Sequence, residues 1–223
     1  MAKFTRIQVA LRMAETGMVP VFNHADPEVC KKVLAACYRG GVRVFEFTNR
    51  GDFAHELFAE LNKYAAREFP EMILGAGTIP DAGTASLYIQ LGANFIVAPN
   101  MQPDVAVVCN RRKIAWVPGC ATLTEISRAE ELGAEIVKVF PGNVLGTAFV
   151  EAVRGPMPWT SIMVTGGVEP EENNLKGWFK AGVTCVGMGS QLFSKSLLAE
   201  GRFDELESKV KTVMEVIGRL KKG

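Results

Sequence analysis

A lysine sits in the middle of an apolar run, Ile136-Val137-Lys138-Val139-Phe140-Pro141. Side chains alternate across a β-strand, so Lys138 shares a face with Ile136 and Phe140. Enclosure on either face strips water from the ammonium. That favours the neutral amine and makes it a nucleophile toward a carbonyl carbon. The competing reading is a lysine that snorkels from the strand end or pairs with a carboxylate. Most other lysines fall on helical patterns or near the termini, and Lys113 precedes its strand.

A second strand supplies a partner. In the segment from Val42 to Arg50, the residues Val42, Val44, Glu46, Thr48 and Arg50 share one face, with Phe45 and Phe47 on the other. If Phe45 and Phe47 face a helix layer, Glu46 points to the opposite, enclosed side, where a carboxyl group beside a lysine can move protons. A structural Glu–Arg or Glu–Lys bridge fits the same pattern. Arg50 suits a two-pronged contact with a planar carboxylate, or is simply a solvated loop arginine. Gly75-Ala76-Gly77-Thr78-Ile79-Pro80 lets backbone and ligand approach closely, with the Thr78 hydroxyl as a donor. A tight turn is the alternative there. Two glycine-rich stretches, Thr165-Gly166-Gly167-Val168 and Gly187-Met188-Gly189-Ser190, could form an anion site of backbone N–H groups, or could serve only as turns.

These residues need a scaffold that brings strand ends together. Eight apolar runs read as strands: Met18–Phe22, Val42–Phe47, Met72–Leu74, Phe95–Ala98, Ile114–Val117, Ile136–Phe140, Ser161–Val164 and Cys185–Met188. Helical patterns alternate with them, including Pro27–Arg39, Phe53–Arg67, Ala82–Leu91, Leu123–Leu132, Val144–Val153 and Glu171–Lys180. The alternation predicts an α/β fold, a (β/α)8 TIM barrel as one domain over residues 1–223. Phe4–Thr16 reads as an extra N-terminal helix capping the barrel bottom, and Asp204–Leu220 closes the chain. Gly41-Val42, Gly92-Ala93, Gly133-Ala134 and Gly182-Val183 each lead from a helix into a strand, about two βα units apart. An open doubly wound sheet is less consistent, because no GxGxxG turn follows the first strand.

Composition narrows the function classes. With 25 Lys plus Arg against 24 Asp plus Glu, the charge balance argues against nucleic acid or an anionic membrane as main partner. The five cysteines are scattered and odd in number, which reads as apolar filling in a reducing cytoplasm. Two histidines, His24 and His55, do not make a metal-binding spacing. No apolar stretch approaches the ~20 residues that span a bilayer, and the first residues lack a signal-peptide run.

In the E-x-T-x-R segment at Glu46–Arg50 and the K-x-F-P segment at Lys138–Pro141, the chain resembles the KDPG/KHG aldolases, the bacterial 2-keto-3-deoxy-6-phosphogluconate and 4-hydroxy-2-ketoglutarate aldolases of class I. The resemblance runs from Val19-Pro20-Val21 to Ser190. It implies that Lys138 forms the Schiff base, that Glu46 is the general acid/base, and that Arg50 and Thr78 hold the pyruvyl carboxylate. Pro99, Phe140 and Thr165 would line the pocket, and Gly166, Gly167 and Ser190 would receive a phosphate. It also implies a homotrimer acting on a small 2-keto acid with no metal or organic cofactor. Asn49, Phe47, Gly142 and the Phe22-Asn23-His24 loop depart from the family pattern, which bears on the aldehyde end of the substrate. Decarboxylation of oxaloacetate through the same Schiff base is a close rival reading, or a side activity of the aldolase. A barrel isomerase or epimerase, or a non-catalytic sugar-acid binder, would use the same glycine loops without a covalent lysine.

Overall fold

The structure, a computed structural model, describes residues 2–222; Met1 and Gly223, the ends of the expected domain, lie outside the described residues. In chain order the elements are α1 (Arg6–Thr16), β1 (Met18–Phe22), α2 (Pro27–Arg39), β2 (Val44–Thr48), α3 (Ala54–Glu68), β3 (Ile73–Gly77), α4 (Ala82–Gln90), β4 (Phe95–Val97), α5 (Pro103–Arg112), β5 (Ala115–Val117), β6 (Gly119–Cys120), α6 (Leu123–Glu131), β7 (Val137–Val139), α7 (Gly142–Arg154), β8 (Ile162–Thr165), α8 (Glu172–Ala181), β9 (Cys185–Met188), α9 (Lys195–Ala199) and α10 (Phe203–Leu220). All pairings are parallel, in the order β5-β4-β3-β2-β1-β9-β8-β7-β6.

The expected fifth strand is two short strands, β5 and β6, interrupted by Pro118. Proline has no N–H to give a ladder, so pairing breaks at that residue. The chain nonetheless runs on in extended form, and each flank takes a different neighbour. Ala98 N–H donates to the Val117 carbonyl, while Lys138 N–H donates to the Pro118 carbonyl at 2.8 Å. This seam closes the sheet into a (β/α)8 barrel, as the alternating pattern predicts.

Helix ends carry sequence-encoded stops and starts. Thr5 and Gln8 form a capping box on α1, as do Thr122 and Glu125 on α6. The four repeated glycines at 41, 92, 133 and 182 all have positive φ, between 86° and 105°, which reverses the chain from helix to strand without a Cβ penalty. The helix after the sixth expected strand begins earlier than its apolar pattern, at Gly142, and is kinked at Gly146.

Two apolar cores follow from strand parity. Phe45, Phe47, Val137 and Val139 belong to the layer between barrel and helices. Val19, Val44, Ile73, Phe95, Ile136 and Met163 fill the barrel interior, joined by Val9 and Met13 of α1. The N-terminal helix therefore does plug the barrel bottom, leaving the C-terminal strand ends as the open mouth.

Candidate active site

Ile136 lies in the barrel interior, so Lys138 and Phe140 on the same face point inward too. Lys138 is 7% exposed, with Nζ 4.9 Å from the centre of the Phe140 ring. On β2 the same logic turns Glu46 and Thr48 inward. Glu46 is 1% exposed. In the strand order β2 and β7 are separated by β1, β9 and β8, which places them on opposite sides of the closed barrel. The lysine and the carboxyl group face each other across the axis.

Burial pushes the Glu46 carboxyl above its ordinary range, and the cations of Lys138 and Arg50 pull back only part of that shift. Its Oε2 is buried with no hydrogen-bond partner among the described residues. An orphan oxygen of this kind is costly to keep and marks a place where a ligand group or proton belongs. The Thr165 hydroxyl oxygen is orphaned in the same way.

Room for these groups is made by missing side chains. On β3 the inward residues are Ile73, Gly75 and Gly77; a Cβ on Gly75 would enter the Phe95 ring, and one on Gly77 would enter the Glu46 carboxylate. A Cβ on Gly187, paired with Thr165 across the ladder, would collide with the Thr165 hydroxyl. Gly77→Ala is therefore expected to displace Glu46, costing about 1–3 kcal/mol of stability and much of the turnover. Thermal melts with a pyruvate-release assay check this, and an unperturbed variant would contradict the packing described.

Arg50, Thr48, Phe140, Thr165, Gly166, Gly167 and Ser190 surround one cavity of ≈ 510 Å³ at the mouth. Lys138 and Glu46 are not in its wall; they lie deeper, below Phe140 and Thr48 on the same inward faces. Thr78 and Pro99 are also outside that wall. Thr78, just past β3, has φ 59°, an uncommon conformation for a β-branched residue and one that marks strain held by its surroundings. Pro99 follows β4, and its carbonyl occupies the space a Cβ on Gly119 would need. A larger groove of ≈ 720 Å³, lined by Lys3, Arg6 and Lys113 among others, lies at the opposite end of the barrel. Barrel chemistry sits at the C-terminal strand ends, so the smaller cavity is the candidate site.

The departures from the family pattern have local partners. Asn49 accepts a hydrogen bond from the buried Tyr88 hydroxyl at 2.8 Å, and burial raises that phenol to about 12. Phe47 packs against Phe58 in the helix layer. A Cβ on Gly142 would strike the Gly166 carbonyl, so this glycine lets α7 approach the β8 loop. Asn23, after β1, brings its side-chain oxygen to 3.2 Å from the Thr48 hydroxyl.

Lys195, Leu198 and Phe193 also line the cavity, and the sequence pattern did not single them out. A helix of five residues is too short to show periodicity. The one available signal was Ser194, which caps α9 by accepting from Leu197 N–H.

A family model described as KDPG and KHG aldolase matches residues 9–209. A 2-dehydro-3-deoxy-phosphogluconate aldolase of Treponema pallidum is 30% identical over 202 residues, covering 90% of this chain and 93% of that protein. A 2-dehydro-3-deoxy-6-phosphogalactonate aldolase of Escherichia coli is 31% identical over 150 residues, covering 65% of this chain and 70% of that protein. The crystal structure of a KDPG aldolase from Legionella pneumophila, with pyruvate captured as a covalent carbinolamine, superposes with a TM-score of 0.82. It is 23% identical and covers 92% of this chain and 97% of that one, a likeness of fold.

Proposed function

The chain belongs to the KDPG and KHG aldolase family, and we propose that it cleaves a 2-keto-4-hydroxy acid through a Schiff base on Lys138. It is an aldolase of class I, a carbon–carbon lyase with a 2-keto acid substrate. The observation that carries the residue assignment is the juxtaposition across the barrel axis of a buried lysine and a buried, partly unpartnered carboxyl group.

After its ammonium gives up a proton to water, Lys138 attacks the C2 carbonyl carbon through the free amine to give a carbinolamine. Glu46, whose burial favours the protonated form, gives its proton to the departing hydroxyl, and water leaves with formation of the iminium. Glu46, now ionised, takes the C4 hydroxyl proton. The C3–C4 bond electrons move into the iminium as an enamine, and the aldehyde departs. Protonation at C3 and hydrolysis return the free lysine and pyruvate. Arg50 and Thr78 hold the pyruvyl carboxylate, Pro99, Phe140 and Thr165 wall the carbon chain, and Gly166, Gly167 and Ser190 take a phosphate. The cavity lining supports the Arg50, Phe140, Thr165, Gly166, Gly167 and Ser190 assignments directly.

The preferred substrate in this reading is 2-keto-3-deoxy-6-phosphogluconate, yielding pyruvate and glyceraldehyde 3-phosphate. The phosphogalactonate relative supports its epimer as a second reading. Borohydride reduction in the presence of pyruvate is expected to leave a stable adduct on Lys138, located by peptide mass spectrometry. A panel of phosphorylated and unphosphorylated 2-keto-3-deoxy acids, read by pyruvate release, ranks the substrates. No adduct and no release across the panel would sink the assignment.

The same proposal treats residues 1–223 as one domain and takes the protein to be a cytoplasmic homotrimer. Five free, buried cysteine thiols support a reducing compartment. Large apolar side chains left exposed, such as Phe53 and Val144, support association, which a light-scattering mass would check. Among the described residues, no helix is long and apolar enough to cross a membrane.

A further inference from the structure

The mouth cavity holds one cation that the proposed cycle does not use. Lys195 opens α9 and lines the cavity, and Leu198, three residues on, lines it as well. Residues three apart share a helix face, so the face of α9 carrying the ammonium is turned to the cavity. The helix is fixed there from below. Leu197 is buried, and the preceding Phe193 packs on Phe22 with ring centres 4.8 Å apart.

Charge is distributed unevenly around this space. Among the described residues, the cavity wall contains two cations, Arg50 and Lys195, and no carboxylate. Around the rim they are separated by β1, whose following loop contributes only the neutral Asn23. Arg50 lies on the Glu46 side, close enough to lower that carboxyl's pKa. Lys195 lies on the side of Gly166, Gly167 and Ser190, whose backbone N–H and hydroxyl groups donate hydrogen bonds but carry no charge. A doubly charged phosphate held by neutral donors alone would lose much of its hydration without a counter-ion.

We infer that Lys195 binds the terminal phosphate of a phosphorylated 2-keto acid and sets this chain's preference for phosphorylated over unphosphorylated substrates. The inference rests on the aldolase reading above. It places the two charged ends of the substrate on the two cations, carboxylate toward Arg50 and phosphate toward Lys195, with the reacting carbons over Lys138 between them.

The test uses inorganic phosphate as probe, titrated calorimetrically into the wild-type protein, Lys195→Gln and Lys195→Arg. A charge-assisted contact of this kind predicts that Lys195→Gln weakens phosphate binding about 10- to 100-fold and that Lys195→Arg retains most of it. The same variants should lower and restore, in parallel, the ratio of kcat/KM for a 6-phosphorylated 2-keto-3-deoxy acid to that of its unphosphorylated analogue. Phosphate binding equal in wild type and Lys195→Gln would overturn the inference. Binding by the wild type does not depend on Schiff-base chemistry. A chain that fails to trap pyruvate but loses phosphate with Lys195→Gln would therefore overturn the aldolase reading and uphold this site.

Discussion

Lys138→Ala is expected to lower pyruvate release by on the order of 10⁵-fold, leaving the activity of the binding site alone. The size follows from the role. In the proposed cycle the lysine is both nucleophile and electron sink, and among the described residues no other lysine is buried to replace it. Alanine also removes a buried stem and leaves space at the barrel axis, so lost packing has to be separated from lost chemistry. Lys138→Met keeps the length of the stem without the amine and should be equally inactive, with a melting temperature nearer the wild type. Neither variant should carry a borohydride-trapped pyruvyl adduct. Wild-type turnover by either would show that Lys138 is not the Schiff-base residue.

Glu46→Gln is expected to reduce kcat by about 10²–10⁴-fold, the usual range for a positioned acid–base group, while stabilising the protein at neutral pH. The sign of the second effect comes from burial. The native carboxyl has a pKa raised above its ordinary 4.5, because desolvation outweighs the attraction of Lys138 and Arg50. Between 4.5 and the raised value the native state binds more protons than the unfolded chain, so stability falls as pH rises through that window. Above it the cost of the buried carboxylate is complete. Glutamine has no proton to lose and avoids that cost. Melting temperatures of the two proteins should converge as pH falls toward 4.5 and separate, with the variant higher, as pH rises. A variant that melts lower at every pH would assign Glu46 a structural ion pair instead.

Strand parity was the most legible property of the site. A period of two is local, so Glu46, Thr48, Lys138 and Phe140 could be turned inward from their neighbours alone, and the interior cluster agrees. Met18–Phe22, Pro27–Arg39 and Cys185–Met188 match their patterns end to end because turn or cap residues bound them. What stayed hidden depends on contacts distant in sequence. The opposition of β2 and β7 appears only when the barrel closes. The orphan oxygens of Glu46 and Thr165 are properties of the assembled interior. The split at Pro118 was readable in principle, since proline cannot donate to a ladder, but the apolar run through Val117 masked it. Thr78's positive φ leaves no mark in composition. Lys195 looked like any lysine near a loop, because nothing local distinguishes a cation facing a cavity from one facing solvent.

The seams of the barrel divide the chemistry. β1 pairs with β9 through Met18, Val19 and Pro20 and with β2 through Val21 and Phe22; the run across Pro118 changes partner in the same way. The barrel is thus two half-sheets stitched at two strands. Glu46, Arg50, Thr78 and Pro99 come from the first half, and Lys138, Phe140, Thr165 and Ser190 from the second. In the proposed cycle one half brings the proton carrier and the grip on the carboxylate, the other the nucleophile and the far end of the pocket. On that proposal each half is a scaffold that holds half a reaction, and the two relate to each other as complementary subunits of one enzyme would.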